Sequence, residues 1–315
     1  MDFKVKGGVY PTMITPYKNG EIDYEAVDNL VEWYWKKGCD GIFATCQSSE
    51  ILYLSLEERV KLTRAVVQKA KALAEADKSR EPMMIVASGH ISDKFEDQVT
   101  ELKAIAAEKP DALILITNRM DIENTSDEKW IEDTAKLIAE LPEDMPLGAY
   151  ECPKPYKRLL SDKMIKWCAD NGRFYFIKDT CCHAPTIRRR VEICKGSNLK
   201  IFNANAQTTL QSVRDGAMGY CGIMANIHPH LYSAMLKPET LFDEKTDMLQ
   251  NYLAHAALVE AYLVYPCIAK YYLNKYEGVA MSTYARSADE KDFTDYQQDC
   301  MDQFAALSKY VTERV

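Results

Sequence analysis

At 315 residues and 47% hydrophobic composition, the chain can bury a large core, so one big α/β domain or a barrel with an appendage fits and two unrelated domains are unneeded. The formal charge of -8, with acids and bases interspersed, leaves no basic stripe to track a phosphate backbone and argues against nucleic acid as a partner. No run approaches the ~18 consecutive apolar residues of a membrane span, and the first eight residues lack an apolar leader core, so no membrane association and a cytoplasmic location are expected.

Taken in chain order, short apolar, β-branched runs alternate with longer stretches of helical period. A strand is predicted at 9–15 and a helix at 24–37; then a strand at 41–45 and a helix at 56–76; a strand at 83–87 and a helix at 93–108. The same pair recurs at 112–117 with 126–141, at 147–150 with 161–171, at 174–178 with 184–194 and at 200–204 with 208–215, and an eighth strand is predicted at 220–224. Eight strands and seven helices in about 225 residues have the size and rhythm of a (β/α)8 TIM barrel, more than a doubly wound open sheet needs. After Asn226 the strand signal stops. The remainder reads as helices broken near Pro238, Pro266 and Gly278, so the expected organisation is a barrel over 1–228 and a C-terminal helical domain over 229–315, joined without a flexible linker.

Barrel enzymes hold reacting groups at the carboxyl ends of their strands, which singles out Lys178 in F-Y-F-I-K-D-T, Tyr150 in L-G-A-Y-E-C-P, and the Gln47-Ser48-Ser49-Glu50 turn after the second strand. A lysine closing an apolar strand points its amine into a water-poor mouth, the setting in which an amine attacks a ketone; the competing reading is a surface lysine neutralised by Asp179. Tyr150 can donate or accept a proton while staying mostly neutral, or simply pack. Ser48 and Ser49 offer hydroxyls and backbone N–H groups suited to a carboxylate, or a helix cap. The ten cysteines match neither a disulfide scaffold nor paired C-x2-C zinc sets, and the adjacent sulfurs of Cys181-Cys182-His183 cannot easily share one metal. No metal site is expected.

These residues, read together, resemble the dihydrodipicolinate synthase and N-acetylneuraminate lyase family from about Gly8 to Arg286. G-V-Y-P-T-M-I-T-P-Y is similar to the family's first strand, and C-D-G-I-F-A-T-C-Q-S-S-E followed by L-S-L-E-E-R stands where the family has its G-T-T-G-E loop and following helix. Y-E-C-P stands for Y-N-x-P, F-I-K-D-T matches the Schiff-base strand, and G-Y-C-G-I-M-A-N-I-H-P matches the eighth strand. The resemblance implies Lys178 as the imine-forming lysine and Tyr150 as the proton relay. It implies Ser48, with its own N–H and that of Ser49, as the holder of the substrate carboxylate, Glu50 as a loop support, and Cys221 as a main-chain contact. It further implies a small 2-oxo acid such as pyruvate as substrate, no cofactor, and a homo-oligomer, dimer or tetramer.

Four departures from the family pattern, the last of them a pair of residues, bear on substrate. Gln47 replaces the relay threonine, and an amide cannot pass a proton as a hydroxyl does. Met120 falls where the second relay tyrosine belongs, Pro155 where an arginine holds the second substrate, and Ala206 with Gln207 where the lyase branch has an acid pair. Lys157 or Arg158 is a candidate to reach the second substrate's anion. The expectation is therefore a pyruvate-type lyase or aldolase, or a dehydratase, that is not a typical dihydrodipicolinate synthase. The alternative is a non-catalytic 2-oxo acid sensor or structural paralogue.

Overall fold

The computed structural model describes residues 3–259 and 263–315. Apart from a small antiparallel hairpin, Tyr17–Lys18 with Glu21–Ile22, its strands are β1 (Gly8–Val9), β2 (Gly41–Phe43), β3 (Met84–Ser88), β4 (Ala112–Ile116), β5 (Leu147–Tyr150), β6 (Phe174–Asp179), β7 (Lys200–Asn203) and β8 (Gly219–Tyr220), hydrogen-bonded in sequence order and all parallel. β8 pairs back onto β1 through Gly8↔Gly219, and a bridge between Thr12 and Phe43 joins the first strand segment to β2. The sheet thus closes into a (β/α)8 barrel. The helices α1 (Tyr24–Lys36), α2 (Leu56–Ala76), α3 (Phe95–Ala106), α4 (Asp127–Ala139), α5 (Asp162–Asn171), α6 (Ala184–Ile193) and α7 (Thr209–Arg214) alternate with the strands.

The sequence explains these elements locally. β3 and β4, M-I-V-A-S and A-L-I-L-I, are buried at every position, as strands covered on both faces must be. The longest barrel helix, α2, opens with a capping box in which Ser55 and Glu58 satisfy each other's backbone N–H groups, an arrangement whose cap residue is typically worth about 1 kcal/mol. Inside the barrel the aromatic rings fill the axis, with Phe176 and Phe202 stacked at 4.2 Å. Gly148 lets β5 and β6 approach closely, because a Cβ there would come within 2.7 Å of the Phe176 carbonyl oxygen.

Two strand ends differ from the sequence expectation. The ladder of the first strand stops at Val9 rather than reaching residue 15, because Pro11 has no N–H to give; the chain still follows β2, with Phe43 N–H donating to Pro11 O and Met13 N–H to Phe43 O, both at 3.0 Å. The eighth strand stops at Tyr220 and turns into a short 3-10 helix, Ile223–Asn226. Asn226 anchors that turn, its Nδ2 donating to Thr12 O at 2.8 Å and to Ile223 O at 3.0 Å.

Beyond the barrel lie α8 (Pro229–Met235), α9 (Glu244–Ala256), α10 (Cys267–Tyr276) and α11 (Asp295–Thr312). The predicted breaks fall between them: α10 starts after Pro266 and ends before Gly278, which takes φ +71. These helices return to the barrel mouth, where Gln250 donates to Ala206 O at 2.9 Å and Lys270 meets Glu50. Among the described residues no helix is long and apolar enough to cross a membrane.

Candidate active site

Tyr150 and Lys178 are register partners at the carboxyl ends of β5 and β6. Alternate strand residues share a face, so both side chains point into the barrel, and each is only 3% exposed. The Lys178 Nζ lies 4.2 Å from the centroid of the Tyr150 ring and 5.6 Å from that of Phe43. No carboxylate among the described residues pairs with it. Above them opens a pocket of about 450 Å³ whose lining includes Lys178, Tyr150, Gln47, Ser48, Tyr220 and Gly222.

The next residues along both strands point the other way. Asp179 does not neutralise Lys178; its carboxylate pairs with Arg190 of α6, behind the sheet. Glu151 joins the same guanidinium at 2.9 Å, and both acids are fully buried. Glu151 also accepts the N–H groups of Leu160 and Thr180, each at 2.8 Å, and its own N–H donates to Lys178 O at 3.3 Å. The strand segment carrying Lys178 is thus stitched to the one carrying Tyr150. Burial and the neighbouring Asp179 push the Glu151 carboxyl up to about 7, against the opposing pull of Arg190.

Burial, reinforced by the nearby thiols of Cys152 and Cys46, holds the Tyr150 phenol well above its usual range, so it is protonated at neutral pH. The Cys152 thiol, hydrogen-bonded with that phenol, lies 3.6 Å from the Gln47 Oε1. Cys221 sits beneath, fully buried, its thiol pushed up to about 12 by burial. It does not line the pocket, and its N–H donates to Asn203 O at 2.8 Å.

The turn after β2 supplies the opposite wall. Ser48 Oγ donates to Thr12 Oγ1 at 3.0 Å. The Ser49 hydroxyl is used inside the turn, accepting from Cys46 N–H at 2.7 Å and donating to Ala44 O at 2.8 Å. Among the described residues, the N–H groups of Ser48 and Ser49 have no backbone acceptor. Glu50, left-handed at φ 63, directs its carboxylate to Ser287 N–H at 2.7 Å and the buried Lys270 Nζ at 3.5 Å. It braces the turn against α10.

The structure therefore brings Lys178, Tyr150, Gln47 and Ser48 together around one pocket, with Ser49 and Cys221 immediately behind its wall. Of the two candidates for a second anion, Arg158 is ruled out: its guanidinium is buried against Asp121 at 2.9 Å and donates to the carbonyls of Met120 and Asp121. Lys157 does line the pocket, along with Lys154 and Asn205, while Pro155 and Met120 do not. The Glu151–Asp179–Arg190 cluster was not anticipated. Strand alternation alone would have placed both acids outside the barrel, but nothing local in the sequence pairs them with an arginine eleven residues beyond Asp179.

Residues 5–75 match the model of the dihydrodipicolinate synthetase family. The chain is 26% identical over 223 residues to the 4-hydroxy-tetrahydrodipicolinate synthase of Methanothrix thermoacetophila, covering 70% of each protein. With the enzyme of that name from Methanocaldococcus jannaschii it shares 25% identity over 231 residues, 73% of this chain and 74% of the relative. Among solved structures, a dihydrodipicolinate synthase of Bacillus anthracis aligns with a TM-score of 0.83 at 18% identity, over 96% of this chain and 98% of that one. A prophage protein of E. coli K12 assigned to the dihydrodipicolinic acid synthase family, solved with pyruvate, aligns at 0.81 and 17% identity over 97% and 98%. At such identities the structural likeness speaks to the fold.

Proposed function

We propose that this chain, which belongs to the dihydrodipicolinate synthetase family as a divergent member, is a lyase that forms a Schiff base between Lys178 and pyruvate or a related 2-oxo acid. The observation that carries the reading is the Lys178 amine, buried at the barrel mouth 4.2 Å from the Tyr150 ring centre and facing a pocket of about 450 Å³. The substrate carboxylate lodges on the N–H groups of Ser48 and Ser49 and the Ser48 hydroxyl. Its ketone carbon then meets the Lys178 nitrogen and forms a carbinolamine. Tyr150, held protonated, gives the proton with which the carbinolamine oxygen leaves as water. The resulting iminium draws electrons from the adjacent carbon, so that an enamine forms by proton loss or by cleavage of the next carbon-carbon bond.

The barrel of residues 1–228 carries this site in our reading, the helices of 229–315 brace it through Lys270 and Ser287, and the active form is a homo-oligomer. The fine activity is not that of a typical dihydrodipicolinate synthase: Gln47 offers an amide where a hydroxyl would relay protons, Met120 is buried outside the pocket, and Pro155 carries no charge.

Incubation with pyruvate and borohydride, followed by intact mass measurement, tests the imine. A stable adduct is expected, absent in Lys178→Ala; no adduct across a panel of 2-oxo acids would overturn the proposal. Tyr150→Phe should still trap substrate slowly and lose turnover by ~100-fold or more. The position of Gln47 favours one second reading, a barrel that binds a 2-oxo acid without turning it over. Trapping without turnover on every donor and acceptor offered would select it.

A further inference from the structure

The pocket is charged against the grain of the molecule. The chain as a whole carries -8, yet among the described residues lining the pocket there are three lysines, Lys154, Lys157 and Lys178, and a single carboxylate, Glu50. That carboxylate is already committed to Lys270 and Ser287 N–H. Lys178 is reserved for the ketone and the Ser48–Ser49 turn for the first carboxylate, which leaves two ammonium groups on the wall formed by the loops after β5 and β6.

Lys157 is exposed at the pocket wall but tethered there. Its Nζ donates to Thr180 O at 2.6 Å, two residues from Lys178, and its charge is felt by the Cys182 thiol on the same wall. One of its three N–H groups is used in that bond, leaving the others for a ligand. Asn205 and Gln207 add amide groups nearby, their side chains joined at 2.7 Å. A pocket of about 450 Å³ is within the range that encloses ligands much larger than a three-carbon acid.

Resting on the imine reading above, we propose that the true substrate is a dianionic 2-oxo acid, longer than pyruvate, whose distal carboxylate is held by Lys157 and Lys154. A terminal carboxylate suits two ammonium groups, which bind as point charges, whereas this wall offers no arginine fork for bidentate recognition. The same pair disfavours a substrate with an uncharged tail of equal length, because binding it would cover the ammonium groups without giving them an anion.

Matched acids test the proposal. Half-saturation for borohydride trapping is measured for 2-oxopentanedioate against 2-oxopentanoate, and for 2-oxohexanedioate against 2-oxohexanoate; each pair differs only in the distal carboxylate. In at least one pair the diacid should half-saturate at a concentration lower by roughly fivefold or more, as expected for charge-assisted contacts at a partly exposed site. The ratio should collapse toward one in the double variant Lys154→Met, Lys157→Met. Equal half-saturation in both pairs, or a preference that survives the double variant, overturns the proposal. Calorimetry of the same acids with Lys178→Ala separates the two ideas, since that protein cannot form the imine but keeps the cationic wall. A diacid preference there with no trapping by the unaltered protein would sink the imine and leave the anion site standing; trapping without preference would do the reverse.

Discussion

Replacing Arg190 by Met removes the counter-charge from two carboxylates that lie fully buried behind the reactive strands. Methionine approximates the volume of the arginine stem, so the loss is mainly electrostatic. Truncating one side of a buried ion pair costs about 3–5 kcal/mol, since the remaining charge stays buried without a partner. Here the cost depends on pH. Glu151 is held at about 7 even with Arg190 in place, and loss of the guanidinium raises it further. A carboxyl whose folded pKa is raised binds its proton more readily in the native state, so stability is greatest below the ordinary value of 4.5 and falls as pH rises through 7. At pH 8 the variant should lose the full 3–5 kcal/mol, seen as a melting-temperature drop on the order of 5–10 °C. At pH 5 Glu151 is protonated in both proteins, and only Asp179, which keeps the Cys181 N–H at 2.8 Å, is left without its partner; the loss should be about half. Thermal melts of both proteins at the two pH values decide the matter. A drop of equal size at pH 5 and 8, or one under about 1 kcal/mol at pH 8, would refute the account of the cluster.

Other perturbations have equally definite outcomes. Burial depresses His90 and His230 to about 4 and His228 to about 3, so their contribution is complete above about pH 6.5 and is lost as pH falls, by up to about 1.4 kcal/mol per pH unit for each imidazole the native state refuses to protonate. His228→Gln should flatten the acid limb of a stability–pH curve by one such increment, and an unchanged slope would exclude it. Lys270→Met strands the Glu50 carboxylate, 2% exposed, with Ser287 N–H as its remaining bond; a loss of about 3 kcal/mol is expected, with partial recovery in the double variant Glu50→Gln, Lys270→Met. The same single variant should raise the pyruvate concentration needed for half-maximal trapping, because the Ser48–Ser49 turn loses its brace.

How much of this was readable beforehand differs between strands and loops. β3 and β4 announce themselves as continuous apolar runs because both of their faces are covered, and the placement of Lys178 and Tyr150 follows from a two-residue period that no tertiary contact can shift without turning the whole strand over. The first and last strands are shorter than their apolar runs suggest, because composition does not reveal a lost ladder: Pro11 withholds a donor, and Asn226 anchors the turn after β8 through a contact to Thr12, more than two hundred residues away. The fate of the loop residues was less accessible still. Lys157 and Arg158 are adjacent cations in the sequence, yet one turns to the pocket and the other is enclosed by Asp121, a choice made by the β4–α4 loop and invisible to any local pattern.

That division has a consequence for how such a barrel can change its substrate. The groups assigned to bond-making are fixed by strand alternation and locked from behind: Glu151 and Asp179 face outward for the same geometric reason that Tyr150 and Lys178 face inward, and the Arg190 cluster ties the two strand ends together at the register pair itself. The groups assigned to the distal end of the substrate sit on loops whose backbones are held independently, as Asn118 holds the carbonyls of Cys152 and Lys154, each at 3.0 Å. Exchanging Lys154 or Lys157 removes at most one bond to the loop after β6, that to Thr180 O, whereas exchanging Glu151 strips the acceptor from the Thr180 and Leu160 N–H groups and one partner from the buried Arg190. Substitutions in the loop wall should alter which acid is bound while leaving imine formation intact, and substitutions in the buried cluster should weaken imine formation with every acid alike.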